Sequence, residues 1–467
     1  MRSSALSVVL AAALLAGCST MRPWQNAAAS PASMAPPVTG LGPDRSDRPS
    51  MVAALTLSGG GARAAAFGLG VLRELKDTAF VWEGRPTTLF DEIGLVSGVS
   101  GGSILAAHYA SFGDATLTRF EPDFLLRDFD GDLILGALSP VRLHDLTSPW
   151  YGRSNVLADR LDALYQGRTF ADLAKRARGP ELLVTATDLT TGAPFEFNAE
   201  QFALICSDLG SVPLSFAVAA SSAVPLLLTP VTLRNHAGDC AHPPLPATGN
   251  AVSAEADYRT RMLKASAESY LDVRERPFLH LVDGGLADNL GMRGLLDRVV
   301  ATGSIQDSFR DVAPGSIRKL ILIAVNSERD LAERIDQSDR VPTTGQVMDA
   351  LLFGAGSRVT QMTLAMLDDD LRRWNQELQR HRGAPGSPFA ADAELHVISI
   401  SLRDVPDPRR RRSALQVPTA FTIAPSDVEL LQDAGREALR RSPAFQRLRQ
   451  SLAGPAPCCN NSATAPR

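Results

Sequence analysis

Residues 52–61, VAALTLSGGG, and residues 93–102, IGLVSGVSGG, decide the fold of this chain. Each stretch is a short apolar run that ends in a cluster of glycines. Apolar residues at helical spacing follow the first stretch, among them Phe67, Val71 and Leu75, and an apolar helix is predicted to follow the second. A buried strand that leads through a glycine turn into a helix is the building unit of a parallel sheet. The two stretches therefore predict two such units with adjacent strand ends.

The same pattern continues along the chain and sets the fold class. Apolar runs predict five further strands, over residues 181–187, 195–197, 278–282, 319–325 and 394–400. Between them, Ser154 is predicted to cap a helix, and long helices are predicted over 347–378 and from a capping box at 426–429. We therefore expect an α/β fold, a three-layer α/β/α arrangement with a mostly parallel central sheet, plus a helix-rich C-terminal extension.

The composition excludes several classes of protein. The chain has 467 residues, a formal net charge of −4 and 45% hydrophobic residues, which are ordinary globular proportions. A strongly basic nucleic-acid binder is excluded, because it would need an excess of Lys and Arg. Five cysteines are too few for a disulfide-dense scaffold and lack the paired spacing of a zinc site, so neither metal nor cofactor is expected.

One uncharged stretch, residues 209–233, has the length of a membrane span. Pro213, Pro225 and Pro230 interrupt it, and each proline removes a backbone hydrogen bond that a lipid-buried helix would need. A short buried helix over 214–222 that leads into a strand is the better prediction.

The N-terminus predicts the compartment. Arg2 and an apolar run over residues 5–16 precede Leu15-Ala16-Gly17-Cys18, which resembles a bacterial lipobox. We expect a lipoprotein signal peptide over 1–17 and a lipid anchor on Cys18; an ordinary secretory signal that happens to contain a cysteine is the alternative. Ser19 after the cysteine favours, by resemblance, the outer membrane, with the protein facing the periplasm. Residues 18–50 are predicted to form a flexible tether, and residues 453–467 a disordered tail.

The segment Gly98-x-Ser100-x-Gly102 matches the nucleophile-elbow pattern. A serine on a tight strand-to-helix turn has strained backbone geometry, and side chains two residues away on either side would clash across the turn. The turn exposes the serine Oγ and directs the N–H of Gly101 toward a developing oxyanion. The alternative is a glycine-rich turn that contains a serine without chemical use.

A second motif, Gly59-Gly60-Gly61, begins the first helix and leaves backbone N–H groups uncovered where the helix dipole favours negative charge. Two uses compete. The N–H groups of Gly60 and Gly61 could hold an oxyanion, or Gly59-x-Gly61-x-x-Ala64 could be a dinucleotide fingerprint. The fingerprint requires an acidic residue at the end of the next strand, and that strand ends in the serine elbow instead. A tight turn that binds no ligand is the third interpretation.

The third motif is Asp283-Gly284-Gly285, directly after the strand predicted over 278–282. We expect the carboxylate to lie at the carboxyl edge of the sheet, where α/β proteins place their sites. An Asx-turn or a helix cap is an equally good interpretation of an isolated Asp-Gly-Gly.

Together, the three motifs resemble the patatin-like phospholipase family, in the order that the family has them, over about residues 51–330. The resemblance implies a catalytic domain over 51–330 with Ser100 as nucleophile, Asp283 as base, and Gly60, Gly61 and Gly101 as oxyanion donors. Arg63 stands where the family has its loop arginine, whereas Ala64 departs from the usual glycine. Segments 187–192 and 220–225 also resemble family segments with structural roles. Residues 331–452 are predicted to form an α/β extension that lies outside the resemblance and packs on the catalytic domain.

The implied function is hydrolysis of acyl esters in membrane lipids, by a Ser-Asp dyad and an acyl-enzyme intermediate. A full triad would instead need one of the seven histidines, at positions 108, 144, 236, 242, 280, 381 and 396. His280 is three residues before Asp283 on one strand and so points to the opposite face. His381 and His396 have no supporting motif. A Ser-His-Asp esterase that acts on smaller esters and a catalytically idle envelope lipoprotein remain the alternatives.

Two further features of the sequence lie outside the three motifs. Cys206 and Cys240 flank the uncharged stretch and are predicted to form a disulfide in an oxidising compartment. Residues 409–412 are a run of four arginines, predicted to lie in a solvated loop or to touch anionic lipid head groups.

Overall fold

The computed structural model describes residues 19–30, 49–240, 258–329, 335, 338–350 and 355–453. Ten strands lie in this part of the chain: β1 (Met51–Leu57), β2 (Ala79–Trp82), β3 (Arg85–Thr88), β4 (Ile93–Val99), β5 (Glu181–Asp188), β6 (Pro194–Glu196), β7 (Val231–Arg234), β8 (Phe278–Val282), β9 (Ile317–Asn326) and β10 (Phe389–Ser401).

The α-helices of the same residues are α1 (Gly61–Asp77), α2 (Gly101–Phe112), α3 (Thr116–Phe120), α4 (Phe129–Ala137), α5 (Pro140–Asp145), α6 (Arg153–Tyr165), α7 (Phe170–Ala174), α8 (Ala199–Leu204), α9 (Leu214–Ser221), α10 (Tyr258–Leu271), α11 (Gly285–Asp288), α12 (Arg293–Thr302), α13 (Thr344–Asp349), α14 (Ala355–His381), α15 (Pro408–Gln416), α16 (Pro425–Arg441) and α17 (Pro443–Leu452). None of the described helices is long and apolar enough to cross a membrane. The uncharged stretch over residues 209–233, which has the length of a membrane span, contains the short buried helix α9, as predicted.

The central sheet has the strand order β10-β9-β1-β4-β5-β8-β7, with β6 paired to β5. The strands from β10 to β5 are all parallel, whereas β6, β7 and β8 pair in the antiparallel direction. Strands β2 and β3 form a separate hairpin. The predicted three-layer fold with a mostly parallel sheet is confirmed.

Strand β9 shows why the sheet is covered on both faces. Its sequence, IRKLILIAVN, is apolar at nearly every position, as expected for a parallel strand that is buried on both sides. Ile321 and Ile323 belong to the larger hydrophobic cluster, together with α1, α2 and α16. Leu320 and Leu322 face a second cluster that includes Trp374 of α14.

The C-terminal extension shares this core. Strand β10 adds a parallel edge strand to β9, and α16 packs against α1 so closely that a Cβ at Gly70 would overlap the backbone of Gln432. Gly435 makes the same close approach to Phe67 from the other helix. The extension and the preceding α/β region are therefore parts of one packed body.

Residues 19–30 differ from the predicted tether, because they pack on the fold. The Asn26 side chain donates to Ser207 Oγ at 2.7 Å, and the backbone of Ala28 bridges Ser207. Trp24 packs edge-on against Phe216 with ring centroids 4.6 Å apart. These contacts of the Trp24 ring and the Asn26 amide attach the segment to the fold, although its composition resembles that of a linker. Residues 1–18, 31–48 and 454–467, and with them Cys18 and the predicted tail, lie outside the described residues.

Three local expectations were wrong in their details. Helix α6 begins at Arg153, so Ser154 lies inside it and bonds with Thr229, while Asn155 Oδ1 accepts the backbone N–H of Gly152. Helix α16 begins at Pro425, whose fixed φ favours the first helical position, rather than at a capping Ser426. The four arginines of residues 409–412 lie on helix α15 rather than in a loop. On this helix, Arg410 pairs with Glu437.

Candidate active site

Ser100 occupies a strained turn between β4 and α2. Its φ is 50° and its ψ is −124°, a conformation that an L-residue rarely adopts. A Cβ at Gly98 would lie 2.6 Å from Ser103 Cα, and one at Gly102 would overlap the carbonyl oxygens of Leu57 and Ser58. The two flanking glycines are therefore required by the turn that exposes the serine, as the elbow pattern predicts.

The glycine loop between β1 and α1 lies directly beside this turn. Gly60 and Gly61 have φ values of 141° and 61°, and a Cβ at Gly101 would overlap the backbone of Gly61. Strands β1 and β4 bring the two loops together, because Leu57 pairs with Gly98 in the parallel register. No hydrogen bond found among the described residues uses the N–H groups of Gly60, Gly61 or Gly101. Three backbone donors are thus available around Ser100.

Asp283 reaches Ser100 by a route that the sequence did not predict. Strand β8 runs antiparallel to β5 and overlaps it only at its last residues, where Val282 pairs with Thr187. The chain therefore enters the carboxyl edge of the parallel strands from the opposite direction. The Asp283 carboxylate and Ser100 line the same cavity, and Gly285 donates its N–H to Asp283 Oδ1 at 2.8 Å.

Burial dominates the electrostatics of this carboxylate. Desolvation raises the pKa of Asp283 to about 6, against the lowering effects of the Gly285 N–H and of Ser100. A carboxylate with a pKa in this range is a better proton acceptor than an exposed one and is still ionised at neutral pH.

Ser221, at the end of α9, holds both halves of the site in place. Its Oγ accepts the N–H of Ser100 at 2.8 Å and donates to the Thr185 carbonyl at 2.6 Å. Its carbonyl accepts the N–H of Gly284 at 3.1 Å. Sequence reasoning assigned segment 220–225 only a general structural role. The local sequence carries no signal for this contact, because Ser221 and Ser100 meet only in the tertiary fold.

A small cavity of about 60 Å³ opens at these residues. Its walls combine four of the predicted site residues with apolar side chains and parts of the C-terminal extension: Gly59, Gly60, Arg63, Ser100, Val224, Pro225, Asp283, Gly285, Leu286, Asn289, Glu328, Arg329, Gly356, Ser357 and Thr419. The predicted oxyanion donors Gly61 and Gly101 are not among the lining residues. Asn289 was not predicted. Its carbonyl accepts the N–H of Gly59 at 3.0 Å, and its side chain lies between Gly59 and Gly285.

Arg63 is buried and faces the extension. It donates from Nε to the Ser327 carbonyl at 2.9 Å and from Nη1 to the Val417 carbonyl at 3.0 Å and to Thr419 Oγ1 at 2.8 Å. Burial, with a smaller contribution from the neighbouring charge of Arg329, lowers the pKa of Arg63 to about 9, against the raising effect of Glu328. The loop arginine thus joins the glycine loop to residues 417–419.

The histidines in the described part of the chain lie elsewhere, and none of them lines the cavity. His108 is buried against Thr116, and desolvation lowers its pKa to about 3. His280 points away from Asp283 and meets Thr232, as the strand alternation predicts. His396 pairs with Glu394. His242 lies outside the described residues.

The two internal cysteines are joined. Cys206 and Cys240 form a disulfide with their Cα atoms 5.8 Å apart. The bridge encloses α9 and the segment that carries Val224 and Pro225 to the cavity wall.

Comparison with known proteins identifies a family for this chain and finds solved structures that are distantly similar to it. The family model of the patatin-like phospholipases matches residues 55–296. No curated protein sequence matches the chain. Among solved structures, human GIVD cytosolic phospholipase A2 is similar, with 13% identity, a TM-score of 0.45, and coverage of 87% of this chain and 63% of that chain. VipD from Legionella pneumophila shows 12% identity and a TM-score of 0.25, over 83% of this chain and 67% of that chain.

This chain thus corresponds to less than two thirds of the length of the human enzyme. The family match covers more than half of the 467 residues and includes all three motifs of the site. The chain belongs to the patatin-like phospholipase family.

Proposed function

We propose that the protein is a lipid acyl hydrolase in which Ser100 is the nucleophile and Asp283 the base. The observation that supports this most directly is that Ser100, at a strained elbow beside the glycine loop, and the buried Asp283 line one cavity. Family membership supports esters of lipids as the substrates.

Each of these groups has one role in the proposed reaction. Ser100 Oγ attacks the ester carbonyl while Asp283 accepts the hydroxyl proton, and the three N–H groups bind the oxyanion of the tetrahedral intermediate. Collapse of the intermediate breaks the ester bond, and Asp283 returns the proton to the departing alcohol. A water molecule then gives its proton to Asp283 and attacks the acyl-enzyme, which releases the fatty acid and regenerates Ser100.

Substitutions at the two residues test this proposal. Ser100→Ala and Asp283→Asn should each lower kcat/KM for release of fatty acid from phospholipid by at least about 1,000-fold, and Ser100→Ala should abolish labelling by a fluorophosphonate. The double variant should be less than about tenfold worse than either single variant, because parts of one catalytic unit are not additive.

His381→Ala and His396→Ala are the matched controls for a triad, and both should keep nearly full activity. A folded His variant that is as inactive as Ser100→Ala would replace the dyad with a triad. A folded wild-type protein that neither turns over lipid nor reacts with fluorophosphonate would favour the idle lipoprotein.

We also propose that the protein is lipid-anchored at Cys18 in the bacterial outer membrane, facing the periplasm. The support is the Leu15-Ala16-Gly17-Cys18 sequence with Ser19 after it. Cys18→Ala should block processing or release the protein from the membrane fraction. A Cys18→Ala protein that matures and fractionates like the parent would contradict the anchor.

A further inference from the structure

Helices α4 and α5 expose an unusual number of large apolar side chains. Six residues between 134 and 150 define what we call the apolar face: Ile134, Leu135, Leu138, Val141, Leu143 and Trp150. Leu135 and Leu138 are 72% and 60% exposed. Exposed large apolar side chains concentrated in one short segment, rather than scattered singly, indicate a site of interaction with a protein or a membrane.

The N-terminal segment fixes what lies next to this face. The N–H of Ser19 donates to Thr147 Oγ1 at 2.8 Å, and Ser148 Oγ donates to the carbonyl of Met21 at 2.6 Å. The guanidinium of Arg22 lies 4.1 Å from the ring centroid of Trp150. Ser19, the residue directly after the proposed lipid anchor, therefore lies beside the segment that carries the apolar face.

The chain that follows the apolar face contacts the rim of the candidate active site. Val224 and Pro225 line the cavity, and the next residues, Leu226 and Leu227, are exposed. Arg153, at the start of α6 just after Trp150, donates to the Leu226 carbonyl at 2.7 Å. The exposed leucines therefore lie between the start of α6 and the residues of the cavity wall.

A second connection runs through the start of α4. The N–H of Asp130 donates to Thr422 Oγ1, and the N–H of Thr422 donates back to Asp130 Oδ2, both at 2.9 Å. Two residues earlier, the Ala420 carbonyl accepts the N–H of Ala62 in the glycine loop at 2.7 Å. One end of α4 is thus held to the glycine loop, while its other end belongs to the apolar face.

We propose that the apolar face, with Leu226 and Leu227, is a membrane-docking surface that enters the boundary between lipid head groups and acyl chains. This inference rests on the proposed lipid anchor and lipid substrate. Apolar side chains with a tryptophan at their edge suit this boundary. Docking there would present the mouth of the cavity to lipids in the same leaflet that holds the anchor, so a substrate need not leave the membrane for water.

The test uses processed, acylated protein reconstituted in vesicles of phosphatidylethanolamine and phosphatidylglycerol. The variant Leu135→Asp/Leu138→Asp is compared with the control Val81→Asp/Met362→Asp, which changes side chains that are 64% and 61% exposed outside the face. The face variant should lose at least about tenfold of its activity on vesicle phospholipid relative to its activity on a water-soluble short-chain ester. The control should keep the wild-type ratio, and soluble-ester activity should be unchanged in both.

Tryptophan quenching tests docking without turnover. In the Ser100→Ala protein, lipids brominated on the acyl chains should quench a fluorescence component that Trp150→Phe removes. Equal activity ratios for the two aspartate variants, or no quenching of Trp150, would overturn the docking surface. A wild-type dimer that Leu135→Asp/Leu138→Asp converts to monomer, without quenching, would assign the face to self-association instead. Unchanged activity of Ser100→Ala would contradict the proposed catalysis but leave the quenching result valid.

Discussion

At the scale of a single residue, two requirements on the Asp283 side chain oppose each other, ionisation and burial. The carboxylate must be ionised to accept a proton, yet its burial favours the neutral form and raises its pKa to about 6. The N–H of Gly285 donates to the carboxylate, and Gly285 and Ser100 both act to lower the pKa, but less than burial raises it. The strained φ of Ser100, 50°, is a second local conflict at the same place. Such conflicts are typical of functional sites.

The raised pKa predicts opposite pH dependences for activity and stability. Activity should rise with pH through an apparent pKa near 6, as Asp283 ionises. The folded-state pKa exceeds the ordinary value of 3.8, so this group stabilises the fold below pH 4, and the contribution is lost as pH rises through 6. Asp283→Asn should therefore raise the free energy of unfolding at pH 8, by about 3 kcal/mol at most, while it abolishes activity. Urea unfolding of both proteins at pH 4 and pH 8 measures this, and an equal difference at the two pH values would contradict it.

Replacement of Ser221 should lower activity, although this residue performs no step of the proposed reaction. Ser221→Ala removes the acceptor of the Ser100 N–H and the donor to Thr185, which leaves buried backbone groups without partners. We expect a loss of about 1–3 kcal/mol in stability and a fall in kcat with little change in KM. Ser215→Ala, a buried serine on the same helix that bonds Asp162, is the control and should lower stability without lowering kcat. Equal kcat values for the two variants would contradict a positioning role for Ser221.

At the scale of elements, the extension holds the glycine loop from outside. The Ala420 carbonyl accepts the N–H of Ala62, and a Cβ at Gly61 would overlap the backbone of Ala420. Arg63 adds bonds to Val417 and Thr419. The loop between α15 and α16 thus fixes the path of the chain that carries two of the proposed oxyanion donors.

Replacement of Arg63 should therefore affect catalysis as well as stability. Arg63→Gln removes the guanidinium from buried carbonyl partners, and we expect a loss of about 2–4 kcal/mol in the free energy of unfolding together with a lower kcat. Arg73→Gln, on the same helix, breaks a partly exposed pair with Glu121 and should leave kcat unchanged. Steady-state kinetics and urea unfolding separate the two effects. A normal kcat in a folded Arg63→Gln protein would show that the glycine loop does not need this contact.

At the scale of the whole molecule, the disulfide closes a loop of 34 residues that contains Ser221, Val224 and Pro225. In the chain-entropy model a loop of this length contributes about 3–4 kcal/mol. Cys206→Ala/Cys240→Ala should lower the urea midpoint accordingly, whereas a reductant should lower the midpoint of the parent and not that of the variant. Peptide masses from a non-reduced digest should show the two cysteines joined. Two free thiols would contradict the bridge.

The sequence by itself determined the strand–turn–helix units, the class of the fold and the residues of the elbow, the glycine loop and the Asp-Gly-Gly segment. Each of these depends on local rules: apolar period, the conformational freedom of glycine at Gly61, and the short distance along the chain between a strand and its turn. Those rules do not require knowledge of what packs against the segment.

Only the tertiary structure decided how these pieces meet. The antiparallel approach of β8, the bond from Ser100 to Ser221, and the packing of residues 19–30 all join segments far apart in sequence. The role of residues 417–420 at the glycine loop is of the same kind. Such contacts depend on side-chain fit and buried hydrogen bonds between distant segments, and neither leaves a periodic signal in the sequence. For the same reason, a segment with the composition of a tether packs as part of the fold.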